Sequence, residues 1–262
     1  MLFNLHLIAL GLYGVAAALA LQAFAGGRST ARPLALAVPS AGAAFHVAGV
    51  AQLALVGVAP ALSMLALFLV LLQLVSERVF RASAVALFTA PLATGLVGLA
   101  LLLGLAPGVE ASAGRNVWSV LHVTLSVLAI ALLALAFVSA ALYLLQFREL
   151  KTKRFGQVFQ LFPPLERLDR LNYGALAVAF PALTVGLLFG VGVRFAAGVD
   201  VAPAQLVWGS FTWVVLGWAV WARVVRGWAG RRAAFMSIAG FAAVVLVYLA
   251  LKLVEPGRER FL

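Results

Sequence analysis

Apolar residues fall in long blocks separated by glycine, proline or charge, at about 2–24, 33–56, 60–76, 84–106, 117–147, 173–195, 205–225 and 233–253. A helix needs roughly 20 apolar residues to cross the hydrocarbon core of a bilayer, so each block is long enough, or nearly so, for one crossing. The pattern predicts an all-α, polytopic membrane helix bundle of about eight transmembrane helices. The third block is the weakest, because residues 61–75 are few and must borrow up to Phe80 to span. Only one connection is long, at 148–171, and its Pro163-Pro164 pair must interrupt any helix that enters it. Its basic residues with Phe155, Phe159 and Phe162 form either an amphipathic stretch at the headgroup surface or a plain topogenic connector. Pro91 and Pro181 fall inside blocks four and six, where kinks are tolerated if neighbours satisfy the freed carbonyl. Residues 1–262 read as a single domain.

Composition sharpens this picture. The apolar set makes up 65% of the chain and charged residues 10%, which excludes a soluble domain near the usual ~25% charged. A net charge of +11 would point to nucleic acid in a soluble protein, but here it is the expected excess of Lys and Arg on cytoplasmic loops. With the N-terminus outside, four cytoplasmic connections hold 14 of the 19 Lys and Arg. Both termini are therefore expected to be extracytoplasmic, in a bacterial inner membrane, with the bilayer as partner and no nucleic acid. The first block reads as an uncleaved anchor despite Ala23-Phe24-Ala25, since no Lys or Arg precedes it and Arg28 and Arg32 follow. Cysteine is absent, which removes disulfides, thiolate metal sites and covalent haem attachment.

Few groups in the blocks carry chemistry. Glu77, Glu110, Glu149, Glu166, Asp169, Asp200, Glu255 and Glu259 are all expected in loops or at helix ends, which disfavours an acidic proton or cation pathway. No phosphate-loop, zinc-protease or serine-hydrolase string occurs. Three histidines remain. His46 is expected near mid-helix, with Gly42, Ala43 and Gly49 at helical spacing, a face bare enough to admit a flat cofactor. His122 lies in the outer part of the fifth block, one turn from Trp118 and Ser126, and His6 in the outer part of the first. Two histidines from different helices can clamp a b-type haem without a covalent bond; the alternative is that each one hydrogen-bonds a carbonyl or hydroxyl between helices. Of the crowded tryptophans, Trp208 and Trp228 fit interfacial belts.

The stretch from Arg223 through Gly227-Trp228-Ala-Gly-Arg-Arg-Ala-Ala to Phe241 resembles the GWxGRRAA segment and final helix of the cytochrome c assembly protein family. Leu121-His122-Val-Thr-Leu-Ser, and the run from Pro164-Leu-Glu-Arg-Leu-Asp-Arg to Phe180-Pro-Ala-Leu-Thr-Val-Gly, resemble further family segments in the family's order, across 118–250. The resemblance implies a haem-handling membrane protein of the CcsA, CcmC and HemX type, active in cytochrome c assembly rather than substrate turnover. It also implies partners among cytochrome c maturation proteins or apocytochrome. It makes His122, by motif, and His46, by position, the axial-ligand candidates for the iron of a non-covalent haem b, with Trp118 packing beside the haem. His6 competes for the second ligand. Between blocks six and seven the family carries a tryptophan-rich WWD motif with flanking histidines; here Arg194–Gln205 holds neither Trp nor His. In that respect the chain is similar to the short YpjD-like branch. The rival reading is a small-molecule permease whose histidines only hold helices together.

Overall fold

The computed structural model describes residues 1–28, 30–55, 57–108, 117–153, 156, 160–197 and 203–254. Among them are eight long helices: α1 (Leu2–Ala25), α2 (Arg32–Val50), α3 (Val58–Phe80), α4 (Ala86–Leu103), α5 (Val117–Thr152), α6 (Leu165–Ala197), α7 (Pro203–Val224) and α8 (Arg231–Val254). A short 3₁₀ turn, Ser83–Val85, precedes α4, and no strand occurs among the described residues. Seven of the eight, all but α7, are long and apolar enough to cross a membrane. At 22 residues α7 reaches ~33 Å, which also suffices. Its apolar content is diluted by four tryptophans and by Gln205, Ser210 and Thr212, so it falls short on hydropathy rather than on length.

The helices form two four-membered rings. In the first, α1 packs on α2 and α4, and α3 closes the ring against both. In the second, α5 packs on α6 and α8, and α7 closes it. Contact between α3 and α5 joins the two, and α5 is the most enclosed helix, with Ala129, Ala131 and Ala136 fully buried. These alanines let neighbouring backbones come close, the packing that membrane helices rely on when lipid offers no hydrophobic drive.

Two boundaries depart from the hydropathy pattern. Helix α2 stops at Val50, because residues 51–55 turn and pair with the connection after α4: Leu53 bridges Pro107, the Ala54 N–H donates to the Ala106 carbonyl, and the Gly108 N–H to that of Gln52. Helix α6 starts at Leu165, directly after Pro163-Pro164, two turns earlier than its apolar block. With α5 running on to Thr152, the long basic connection is shorter than expected. Phe155 and Phe159 lie outside the described residues. Phe162 is buried against Phe24, so it belongs to the core rather than to an interfacial stretch.

Two of the carboxylates expected in loops or at helix ends are drawn into the packing between helices. Glu77 lies within α3, one turn from its end, and is 9% exposed. Asp169 lies within α6 and pairs with Arg223 of α7 at 2.9 Å. Apolar blocks locate bilayer-facing surface, and a helix that packs its polar residues inward continues past the block's edge.

Candidate functional site

The three histidines share one end of the molecule. His6 is one turn into α1, His46 one turn before the end of α2, and His122 five residues into α5. At 1.5 Å per residue each sits roughly 6–8 Å from its helix end, so His46 is not near mid-helix as expected.

His6 and His46 are fully buried and belong to one hydrogen-bonded chain. His6 Nδ1 lies 3.0 Å from the Leu2 carbonyl, and its Nε2 3.0 Å from Ser63 Oγ. His46 Nε2 lies 2.9 Å from the same hydroxyl, and its Nδ1 3.1 Å from the Tyr13 hydroxyl. Partner chemistry fixes the protons when both rings are neutral. A carbonyl only accepts, so His6 donates from Nδ1 and its Nε2 must accept from Ser63. Ser63 has a single proton, so its oxygen accepts from His46 Nε2–H, and His46 Nδ1 accepts from Tyr13. The result is one directed chain, Tyr13 to His46 to Ser63 to His6 to Leu2, with opposite tautomers on the two rings.

This chain also fills the bare face around His46. A Cβ on Gly42 would lie 2.7 Å from Cε1 of Tyr13, and one on Gly49 2.7 Å from Cε1 of His6. Small residues there admit two rings from α1 rather than leaving a slot for a flat cofactor. The rings of His6 and His46 meet edge to face, 5.1 Å apart.

His122 is held differently. Its Nδ1 donates to the Gly186 carbonyl of α6 at 2.7 Å, and its ring lies against Gly190, where a Cβ would come within 2.7 Å. No hydrogen bond among the described residues engages Nε2, and the ring is only partly buried. With the proton on Nδ1, the lone pair sits on Nε2. A carbonyl that orients one nitrogen while the other keeps its lone pair is the usual setting of a metal-binding imidazole. Trp118, one turn earlier, rests on Phe189 of α6 at 5.4 Å and is 48% exposed. The structure therefore brings His46 together with His6, on α1 to α3, and sets His122 apart on α5 and α6.

Residues 55–258 match the family model described as Cytochrome C assembly protein. The chain belongs to this family. Its relatives include the cytochrome c biogenesis protein CcsA of Chlamydomonas reinhardtii, 29% identical over 55% of this chain and 40% of the relative. That of Guillardia theta is 29% identical over 56% and 54%, and that of Nostoc punctiforme 35% identical over 37% and 28%. The chain thus spans about half or less of the length of these relatives. The family match takes in His122, Ser63 and the whole α5–α8 ring; α1 and α2, with His6, Tyr13 and His46, precede it.

A second polar cluster lies at the opposite end of the α5–α8 ring and was not visible as a site in the sequence. The Arg223 side chain, 5% exposed, donates to the Asp169 carboxylate, to the Asp169 carbonyl at 2.8 Å and to the Trp228 carbonyl at 3.3 Å. The Gly230 N–H donates to Asp169 Oδ1 at 3.0 Å, and Gly230 has φ +61°, a conformation that favours glycine. Asn172 donates to Ser237 and to the Ala136 carbonyl. The GWxGRR segment is thereby tied to α5, α6 and α8. Its basic residues look topogenic in sequence, and only the inward-facing Asp169 and Asn172 show that Arg223 is structural.

Proposed function

We propose that this family member handles haem during cytochrome c biogenesis, holding it non-covalently through His122, with haem as cargo rather than a group consumed in turnover. The observation that carries this reading is His122 itself, oriented by Gly186 and presenting an unengaged Nε2 beside Trp118. Neutral imidazole is a strong axial ligand for haem iron, and the carbonyl bond at Nδ1 fixes the tautomer and the orientation of the ring. His46 is the proposed second ligand. Both of its nitrogens are engaged, so it must first release Tyr13 or Ser63. The chain has no cysteine, so any haem held is exchangeable. We place the protein in a bacterial inner membrane with both termini outside, working with other cytochrome c maturation proteins or apocytochrome.

The test is an absorption spectrum of the purified protein after haem supplementation. A Soret band with low-spin features is expected, lost in His122→Ala, shifted in His46→Ala and largely retained in His6→Ala. Acid-acetone should extract all the haem. No Soret band after supplementation would favour the permease reading, and loss of the spectrum in His6→Ala with retention in His46→Ala would make His6 the second ligand.

A further inference from the structure

At the end of the α1–α4 ring away from the histidines, α1, α2 and α3 and the 3₁₀ turn enclose a recess of about 410 Å³, counting its open mouth. Inside, it narrows to room for one or two groups the size of a water. Its walls are mainly alanine, leucine and proline, and its polar groups are Thr30, Gln73, Glu77 and Ser83. Glu77 is more than nine-tenths buried, and its Oε2 has no hydrogen-bond partner. A buried carboxylate oxygen with no donor is costly and calls for a cation or an N–H group.

Charge around the recess narrows the choice of occupant. Glu77 is the one acidic residue in positions 1–108, whereas Arg28, Arg32, Arg78 and Arg81 all lie at this end. Arg28 borders an adjoining recess that shares Ala20, Thr30 and Ser83 with the first. Arg32, at the start of α2, is near enough for its charge to act on Glu77, yet no ion pair joins them among the described residues. The site therefore has a negative floor and a positive rim, at the level where helix ends meet lipid headgroups. A group that is cationic at its tip and anionic a few bonds behind matches both.

We propose that this recess binds the headgroup of an ethanolamine phospholipid, with the ammonium donating to Glu77 and the phosphate held by the arginine rim. A primary ammonium supplies N–H donors and fits the narrow floor. A choline headgroup has no N–H and is too wide, and a glycerol phosphate lipid satisfies the rim but leaves Glu77 unpaired.

The experiment uses the full-length protein in detergent, offered phosphatidylethanolamine, its N-methyl and N,N-dimethyl derivatives, phosphatidylcholine or phosphatidylglycerol, with retained lipid counted by native mass spectrometry. One phosphatidylethanolamine should be retained at least five-fold over phosphatidylcholine, with retention falling stepwise as methyl groups replace N–H. Glu77→Gln should lower it to the phosphatidylcholine level, and Arg32→Ala should weaken retention of every headgroup. The methylation series is read on the unaltered chain, so it stands even if Glu77→Gln folds poorly. Equal retention across the series, or a preference for phosphatidylglycerol, would overturn the proposal.

Discussion

The two rings treat their histidines in opposite ways. In α1–α4, His6 and His46 have every ring nitrogen engaged and are closed off by Tyr13 and by the packing against Gly42 and Gly49. In α5–α8, His122 uses one nitrogen for orientation and leaves the other unengaged. Burial of a polar group is tolerated only if its bonds are satisfied, so the first arrangement stabilises a helix junction. The second leaves a lone pair unengaged among the described residues. The region with the open histidine is also the one that the family match covers in full. The glycines show the same division: Gly49 makes room for a ring bonded at both nitrogens, and Gly190 for a ring bonded at one.

The largest effect is expected where the α5–α8 ring is tied together. Arg223→Ala leaves Asp169 without its cation, with only the Gly230 N–H still donating to it, and frees the Trp228 and Asp169 carbonyls. Breaking a buried pair by removing one partner costs about 3 kcal/mol here, the low end for such pairs because Asp169 is 26% exposed. Thermal unfolding in detergent measures this; an unchanged midpoint would mean that the cluster does not hold the ring together. Arg223→Lys should recover part of the loss, since it restores the charge but not the fork of donors.

A pair of glycine variants separates the two histidine settings. Gly49→Ala forces a methyl into the His6 ring and should cost roughly 2 kcal/mol, the scale of overpacking. Gly190→Ala forces a methyl into the His122 ring, which is only partly buried and has room to yield. Its stability loss should be under about half of that, with the effect appearing as weaker haem uptake. Equal stability losses with unchanged haem uptake would erase the distinction. The orientation of both rings is checked by reporter fusions, expected outside at Gly108 and Pro203 and inside at Arg28 and Gly230. A C-terminus found inside would break the eight-span arrangement.

The helices were legible in the sequence because bilayer-facing surface must be apolar throughout, and the blocks show this directly. What they conceal is where polar residues face inward. Asp169, Asn172 and Glu77 lie at or beyond block edges, where hydropathy reads them as loop, and only packing against α2, α7 and α8 holds them in helices. His122 was singled out by its motif, but its carbonyl partner on α6 was not visible in the sequence. The pairing of His6 with His46 was not, because it depends on α1, α2 and α3 meeting at one level. Ser63 was the available signal: a lone hydroxyl early in the third block, near the end shared by both histidines.

The most discriminating variant acts on the bond between Tyr13 and His46. Tyr13→Phe removes the donor to His46 Nδ1 and leaves that nitrogen buried without a partner, at a cost of about 1–2 kcal/mol. If His46 is the second ligand and binds through Nδ1, the same change removes the bond it would have to release, so haem should bind more tightly while the protein becomes less stable. A titration with haem, read at the Soret band and paired with a thermal midpoint, tests both at once. Lower stability with unchanged haem affinity would assign His46 wholly to the helix junction and leave His122 as the ligand that this chain contributes by itself.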